Sequence, residues 1–443
     1  MLFAAPAHAA RAPFLTRAIS DGGAFSTAGS ARLMDVSLQR GARASAQVAR
    51  LPLNWALVQA RRTPVDPTNP ADPAYDFAET DALVRAAVRH GLTPLLRVGG
   101  APAAHEAQPR WRFAAYGTWA PDPAAYGRFA IAVARRYSGH FHDLPRVLLY
   151  QAWNEPNLAR FLQPQWIGID GEWVAYSAPH YRRLLNAFYD GVKGVDRRNV
   201  VATAGTAPNG DPDGRGRMKP LRFWRSFLCL DAPCADPPRF DVLAHHPLSV
   251  TNPDIPARDP GNVGIADFHA LKALLPAGKR LWVTEINWDS GTKGATAEQL
   301  QRWVPDALYR LWSEGVDMVT WQFVRDPPSR PEHPGGLYAI DPAAPLDPLR
   351  DRPKRAAIQA FRFPFTGTRT DRAHLRLWAL TPRAERTRVA VQRRRGGRWV
   401  TVRHLTANRH GLVRAEITLR GRARLRLATV RQGASGTWDA PTG

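Results

Sequence analysis

A chain of 443 residues is longer than one small domain, and two cysteines are too few for a disulfide scaffold, so the fold must rest on a large apolar core. After the first few residues no apolar run reaches the roughly 18 residues that a membrane span requires. The formal charge of +23, carried mainly by Arg, concerns partners rather than fold, and with no helix-turn-helix, zinc-finger or RNP pattern beside it nucleic acid is not the expected substrate.

The opening MLFAAPAHAA has an apolar fragment and the small-residue pattern Ala7, His8, Ala9, like a signal-peptide remnant over residues 1–9 that lacks its charged region. An ordinary Ala-rich terminus is the other reading. From residue 14 to residue 362, strand-like apolar runs alternate with runs of helical period, the signature of βα repetition and a parallel sheet. Strands are predicted at 14–19, 46–53, 93–98, 147–149, 200–204, 240–244, 281–283 and 316–323. Helices are predicted at 31–39, 77–90, 126–137, 181–192, 268–275, 297–312 and 355–361. Eight strands in this rhythm imply an α/β fold, a (β/α)8 TIM barrel over residues 10–365. Gly91, just past the helix over 77–90, suits the left-handed position that closes a helix. Stretches rich in Pro, Gly and Asp at 63–76, 205–219 and 326–336 read as irregular loops.

From residue 366 the texture changes to short alternating runs (LRLWAL, RVAVQRR, WVTVRHL) between turn residues, which predicts a small C-terminal antiparallel β-domain, sandwich-like, over 366–431. It holds 18 Arg against 3 Asp or Glu, a net of +15 and most of the chain's excess. Such a module either anchors the protein to an anionic envelope polymer or is a β-domain with an Arg-rich solvated face. The tail over 432–443 reads as disordered.

Two stretches carry chemistry. Tyr150 to Leu158, YQAWNEPNL, follows an apolar run and delivers Asn154 and Glu155 to the C-terminal end of the fourth strand, where Pro156 stops the ladder. Arg280 to Ser290, RLWVTEINWDS, does the same for Glu285 on the seventh, with Trp288 beyond it. Side chains at strand C-terminal ends converge on one face of a barrel, so the two carboxyl groups meet the demand of retaining glycoside hydrolysis for one acid and one nucleophile about 5 Å apart. The alternative for the first stretch is an edge turn with a solvated Glu.

These motifs resemble the clan of retaining glycoside hydrolases built on (β/α)8 barrels, with the acid/base after strand 4 and the nucleophile after strand 7. WNEPN is similar to the β-xylosidase and α-iduronidase branch, and RLPLNW, residues 50–55, to the cellulase branch. The resemblance implies an oligo- or polysaccharide substrate, Glu155 as acid/base, Glu285 as nucleophile, Arg50 orienting the nucleophile and Asn154 on the sugar's 2-hydroxyl. It also implies Trp321 as floor of the subsite for the cleaved sugar, a core Trp being the other reading. Trp288, Trp119 and Trp111 are candidates for outer subsites.

Adjacent His245 and His246 point to opposite sides of a strand, so at most one faces the site. Relatives often carry a Tyr touching the nucleophile two positions beyond the strand 6 His. Leu248 stands there instead, which leaves His246 to substitute. No H-E-x-x-H pattern occurs, and retaining hydrolysis needs neither metal nor cofactor. Cys229 and Cys234 in CLDAPC are spaced for a small disulfide in a secreted protein, or remain free thiols. A rival reading keeps the barrel but not the turnover: a polysaccharide- or envelope-binding protein.

Overall fold

A computed structural model describes residues 12–26, 30–59, 62–249, 251–291 and 293–442; the candidate signal segment lies outside these. The first ten strands are β1 Thr16–Ser20, β2 Val48–Asn54, β3 Thr93–Gly99, β4 Leu149–Ala152, β5 Trp166–Ile169, β6 Glu172–Ala175, β7 Val200–Ala202, β8 Val242–His245, β9 Arg280–Ile286 and β10 Val316–Trp321. Eight of them close a barrel in the order β1, β2, β3, β4, β7, β8, β9, β10 and back to β1. Parallel registers such as Ser20 with Arg50, Val98 with Ala152 and His245 with Val283 set which side chains reach its C-terminal rim. The strands read as apolar runs because both of their faces are covered.

The helices are α1 Ala31–Arg43, α2 Trp55–Val58, α3 Ala78–Arg89, α4 Pro123–Arg136, α5 Ser177–Val195, α6 Pro220–Phe227, α7 Phe268–Lys272, α8 Ala297–Ser313 and α9 Arg355–Arg362. Local signals set their ends. Ser30 caps α1 through a bond to Leu33 N, Asp122 caps α4 with Pro at the first turn, and Thr296 with Gln299 forms a reciprocal capping box on α8. Gly91, at φ 73°, closes α3. Helix α6 is absent from the sequence-based expectation, although Pro220 in its first turn and Phe223 and Phe227 one turn apart are its signature. The stretch after β4 holds a hairpin, β5 with β6, turned at Asp170 and Gly171, both at positive φ.

The chain divides into two compact units. One comprises Arg17–Ala295 and Thr320–Lys354; the other joins Thr296–Val319 to the residues from Arg355 onward. In the first, Asp21 ties the end of β1 to the segment after β10. Its Oδ1 accepts from Gly23 N and Ala24 N, and its Oδ2 from Val324 N and Arg325 N. A two-residue ladder, β11 Tyr338–Ala339 with β12 Arg352–Pro353, follows.

In the second unit, β13 Phe365–Arg369, β14 His374–Leu380, β15 Arg388–Arg395, β16 Arg398–Thr406, β17 Leu412–Thr418 and β18 Ala423–Thr429 form two antiparallel sheets over a shared apolar core that includes Phe365, Leu377, Val391 and Leu427. Trp378 packs against Tyr309 and Trp312 of α8, with centroids 5.8 and 6.0 Å away. The stretch over 432–443, expected to be disordered, instead carries β19 Gly433–Ala434 and β20 Trp438–Ala440, both paired with β18. Its small polar residues conceal an anchor: Trp438 lies edge-on to Phe365, and Ser435 Oγ accepts from Leu427 N.

Candidate active site

The site is built on a kink. Trp153 (φ 71°) and Glu155 (φ 37°) both take the left-handed region that side chains other than glycine avoid. Trp153 N still donates to Val98 O as a continuing strand would, while Glu155 N donates to Gly205 O. The turn packs Trp153 into the barrel wall, edge-on to Tyr126 with Nε1 donating to Phe161 O, and leaves Asn154 and Glu155 facing a cavity of about 430 Å³. Glu285, inside β9 near its end, lines the same cavity.

One carboxylate oxygen of Glu155, one of Glu285 and a ring nitrogen of His246 all lie within 4.8 Å of one another. His246 is wholly buried; its Nδ1 is 2.9 Å from Glu155 Oε1 and 3.7 Å from Glu285 Oε2, and its Nε2 meets Thr284 Oγ1 at 2.9 Å. His245 points away, to Thr206 and Val263 O, and burial pushes its imidazole down to about 3. Of the two histidines one faces the site, and its short bond is to Glu155 rather than to the nucleophile candidate.

Arg50 is spent on three acceptors: Nη1 on Glu285 Oε1 at 2.6 Å, Nη2 on Asn154 Oδ1 at 2.8 Å and Nε on Gln151 Oε1 at 2.6 Å. Gln151 is held in turn by Thr203 O and Thr284 Oγ1, both of which accept from its amide. The second oxygen of Glu285 accepts from Gln322 Nε2 at 2.6 Å. Burial by itself would raise the Glu285 carboxyl, but His246 and the Arg50 guanidinium outweigh it and hold the group below its usual 4.5.

Gln322, Gln151 and Thr284 were not legible as site residues, because a polar residue in a barrel strand has no spacing that marks it. Gln322 does what Leu248 cannot: it donates to the carboxylate from the neighbouring strand end. The expected aromatic floor is not at the cavity. Trp321 is buried, its Nε1 donating to Gly335 O, and packs against Trp288, whose Nε1 donates to Thr251 O. Neither lines the cavity, whose aromatic rings are Phe161 and Phe323. Trp119 is half-buried in the loop after β3 beside the exposed Trp111, and does not line it either. His105, in the same loop, stacks on Trp55.

Among the described residues, Glu155, His246 and Glu285 are the group that could hold a metal ion. A cation there would face the Arg50 guanidinium already bonded to Glu285, so the donor set suits a hydrogen-bonded carboxylate pair better than a metal. Cys229 and Cys234 are joined in a disulfide, with Cα atoms 5.7 Å apart. No described helix is long and apolar enough to cross a membrane.

No family model matches the chain, and no curated protein matches it. Solved structures do. A family 39 glycoside hydrolase from the gut symbiont Bacteroides cellulosilyticus WH2 is 18% identical, with 93% of this chain and 79% of that one covered at a TM-score of 0.54. A conserved exported protein from Bacteroides fragilis is 12% identical over 93% of this chain and 98% of its own, at 0.52. SrfJ from Salmonella typhimurium is 12% identical over 93% and 91%, at 0.50. At such identities the likeness is one of fold: a closed parallel barrel ringed by helices, as in solved glycoside hydrolases.

Proposed function

We propose that this chain is a secreted glycoside hydrolase that cleaves with retention, Glu155 serving as general acid and then base and Glu285 as nucleophile. The observation that carries the reading is the pair of carboxylates with oxygens within 4.8 Å across one cavity. Double displacement uses a separation of about 5 Å, whereas inversion needs several ångströms more for a water. In the first step the Glu155 carboxyl gives its proton to the glycosidic oxygen while Glu285 attacks the anomeric carbon, forming a glycosyl ester and releasing the leaving alcohol. In the second, Glu155, now a carboxylate, takes a proton from water, whose oxygen displaces Glu285. Arg50 and Gln322 hold both oxygens of the nucleophile in place, and Arg50 also turns Asn154 so that its amide is free to donate to a sugar hydroxyl. The disulfide suits an oxidising compartment.

A 2-fluoroglycoside with an activated leaving group tests this. We expect one glycosyl adduct, mapped by mass spectrometry to Glu285. If every activated sugar leaves the protein unlabelled while glycans are retained tightly, the binding-protein reading gains.

Two further outcomes follow. Because the nucleophile is held below its ordinary value, activity persists on the acid side of pH 4.5 and is lost only as pH falls through the lowered pKa of Glu285. Arg50→Gln removes one of the groups that lower it, so its kcat/KM profile should show the acid limb moved upward; an unmoved limb contradicts the assignment. Gly205 lies so close to the His246 ring that a Cβ there would land on it. Gly205→Ala therefore displaces His246 and Glu155, and kcat/KM should drop about 100-fold with the fold retained by circular dichroism.

A further inference from the structure

Six charged side chains line the site cavity, and four are arginines: Arg50, Arg97, Arg160 and Arg330, against Glu155 and Glu285. Arg50 is matched by Glu285. For the other three guanidinium groups no hydrogen bond or ion pair is formed with any described residue; Arg160 only lies over the Phe161 ring. Arg97 is the unusual one. It is a β3 residue in register with Pro52 and Gln151, mostly covered; Arg50 is the nearest charge acting against it, and Glu285 and Glu155 favour its charge from across the cavity without bonding to it. Burial, aided by Arg50 and only partly offset by Glu285 and Glu155, lowers its guanidinium to about 10. It also sits where the site cavity meets a second one of about 420 Å³, since Gly22, Pro52 and Arg97 line both.

A largely covered charge with no bonded partner is unfavourable, and a neutral sugar hydroxyl can accept its hydrogen bonds but cannot offset the charge. A planar oxyanion does both, and the guanidinium fork matches it with two parallel bonds. Resting on the glycosidase reading above, we propose that the glycan bound here carries an acidic substituent, a carboxylate or a sulfate, held by Arg97 where the two cavities join. Arg160 and Arg330 give the entrance the sign that draws an acidic chain inward.

The test is binding to the full-length Glu155→Gln variant, which does not depend on turnover. Oligouronates, sulfated oligosaccharides and neutral xylo- and gluco-oligosaccharides are titrated calorimetrically at equal ionic strength. The expected result is at least tenfold tighter binding of one acidic series than of the neutral ones, with Arg97→Gln in the same background erasing that ratio. Which series responds to Arg97 separates carboxylate from sulfate. An acidic preference that survives Arg97→Gln belongs to the basic β-domain and overturns the proposal, as does a preference for neutral glycans. Melting supplies the second readout: loss of an unmatched charge should leave Arg97→Gln at or above its parent's Tm, whereas a large drop makes Arg97 a structural residue and defeats the idea. Failure of the glycosidase reading looks different, since then neither acidic nor neutral 2-fluoroglycosides label Glu285.

Discussion

Glu285→Gln should lose roughly four to six orders of magnitude in kcat, about 5 to 8 kcal/mol of barrier, while still binding substrate. The amide is nearly isosteric, yet it cannot attack the anomeric carbon, and its NH2 would meet the amide of Gln322 that now donates to Oε2. The loss should be the same whatever the leaving group, because the bond to the sugar is what cannot form. Glu155→Gln should behave otherwise. With a phenolate that leaves unaided, its first step runs nearly as in the parent and the glycosyl ester accumulates; with a poor leaving group the first step itself stalls. Added azide, which needs no base, should then restore turnover to Glu155→Gln with the activated substrate and do nothing for Glu285→Gln. Rates that fall equally in both variants across all leaving groups would overturn the division of roles.

The sequence made the scaffold legible because a barrel is a repeated local problem. Most of the barrel's strands and helices announce themselves within a dozen residues by apolar period, with Gly91 marking one helix end, although α6 is absent from that reading. The two glutamates were legible for the same reason, as carboxylates placed just where an apolar run stops. What supports them was not. Gln322 reaches Glu285 from another strand, and Gln151 reaches Arg50, only because the barrel closes, and a contact made by closure leaves no spacing in the chain. The tryptophans named for subsites are a different case. Trp321 and Trp288 have the composition of a sugar platform but satisfy their Nε1 groups on backbone carbonyls and pack on each other, which composition alone cannot distinguish. The β5 and β6 hairpin carries its signal in the Asp170-Gly171 turn, although the sequence reading assigns no element to that stretch.

Asp351→Ala should cost about 3 to 5 kcal/mol of stability, the largest effect expected of any substitution away from the cavity. Asp351 accepts two bonds from Arg325, at 3.0 and 2.7 Å, and one from Arg40 Nη1 at 2.6 Å, and its side chain is wholly buried with Arg325 only 2% exposed. One negative charge thus serves two guanidinium groups that have little water to fall back on. Other donors of the two groups are already committed, Arg325 Nη1 to Pro345 O and Arg40 Nη2 to Pro348 O, and Arg40 lies over the Tyr338 ring. Removing the acid therefore leaves two buried cations facing each other, and neither can turn to solvent without breaking those contacts. Urea unfolding followed by tryptophan fluorescence should show a lowered midpoint with unchanged slope. Arg40→Met alone removes only one cation and should cost less. Combined with Asp351→Ala it should recover part of the loss, a coupling that additive costs would contradict. The consequence reaches the site as well. Arg325 precedes the segment whose Pro327, Pro328 and Arg330 line the cavity, and its backbone N–H is held by Asp21. Loosening Arg325 frees that wall, so Asp351→Asn, which keeps the shape but weakens both pairs, should raise KM several-fold at temperatures where the protein is still folded. A KM that stays at the parent's value while stability falls would separate this cluster from the site and confine it to holding the barrel's last segment.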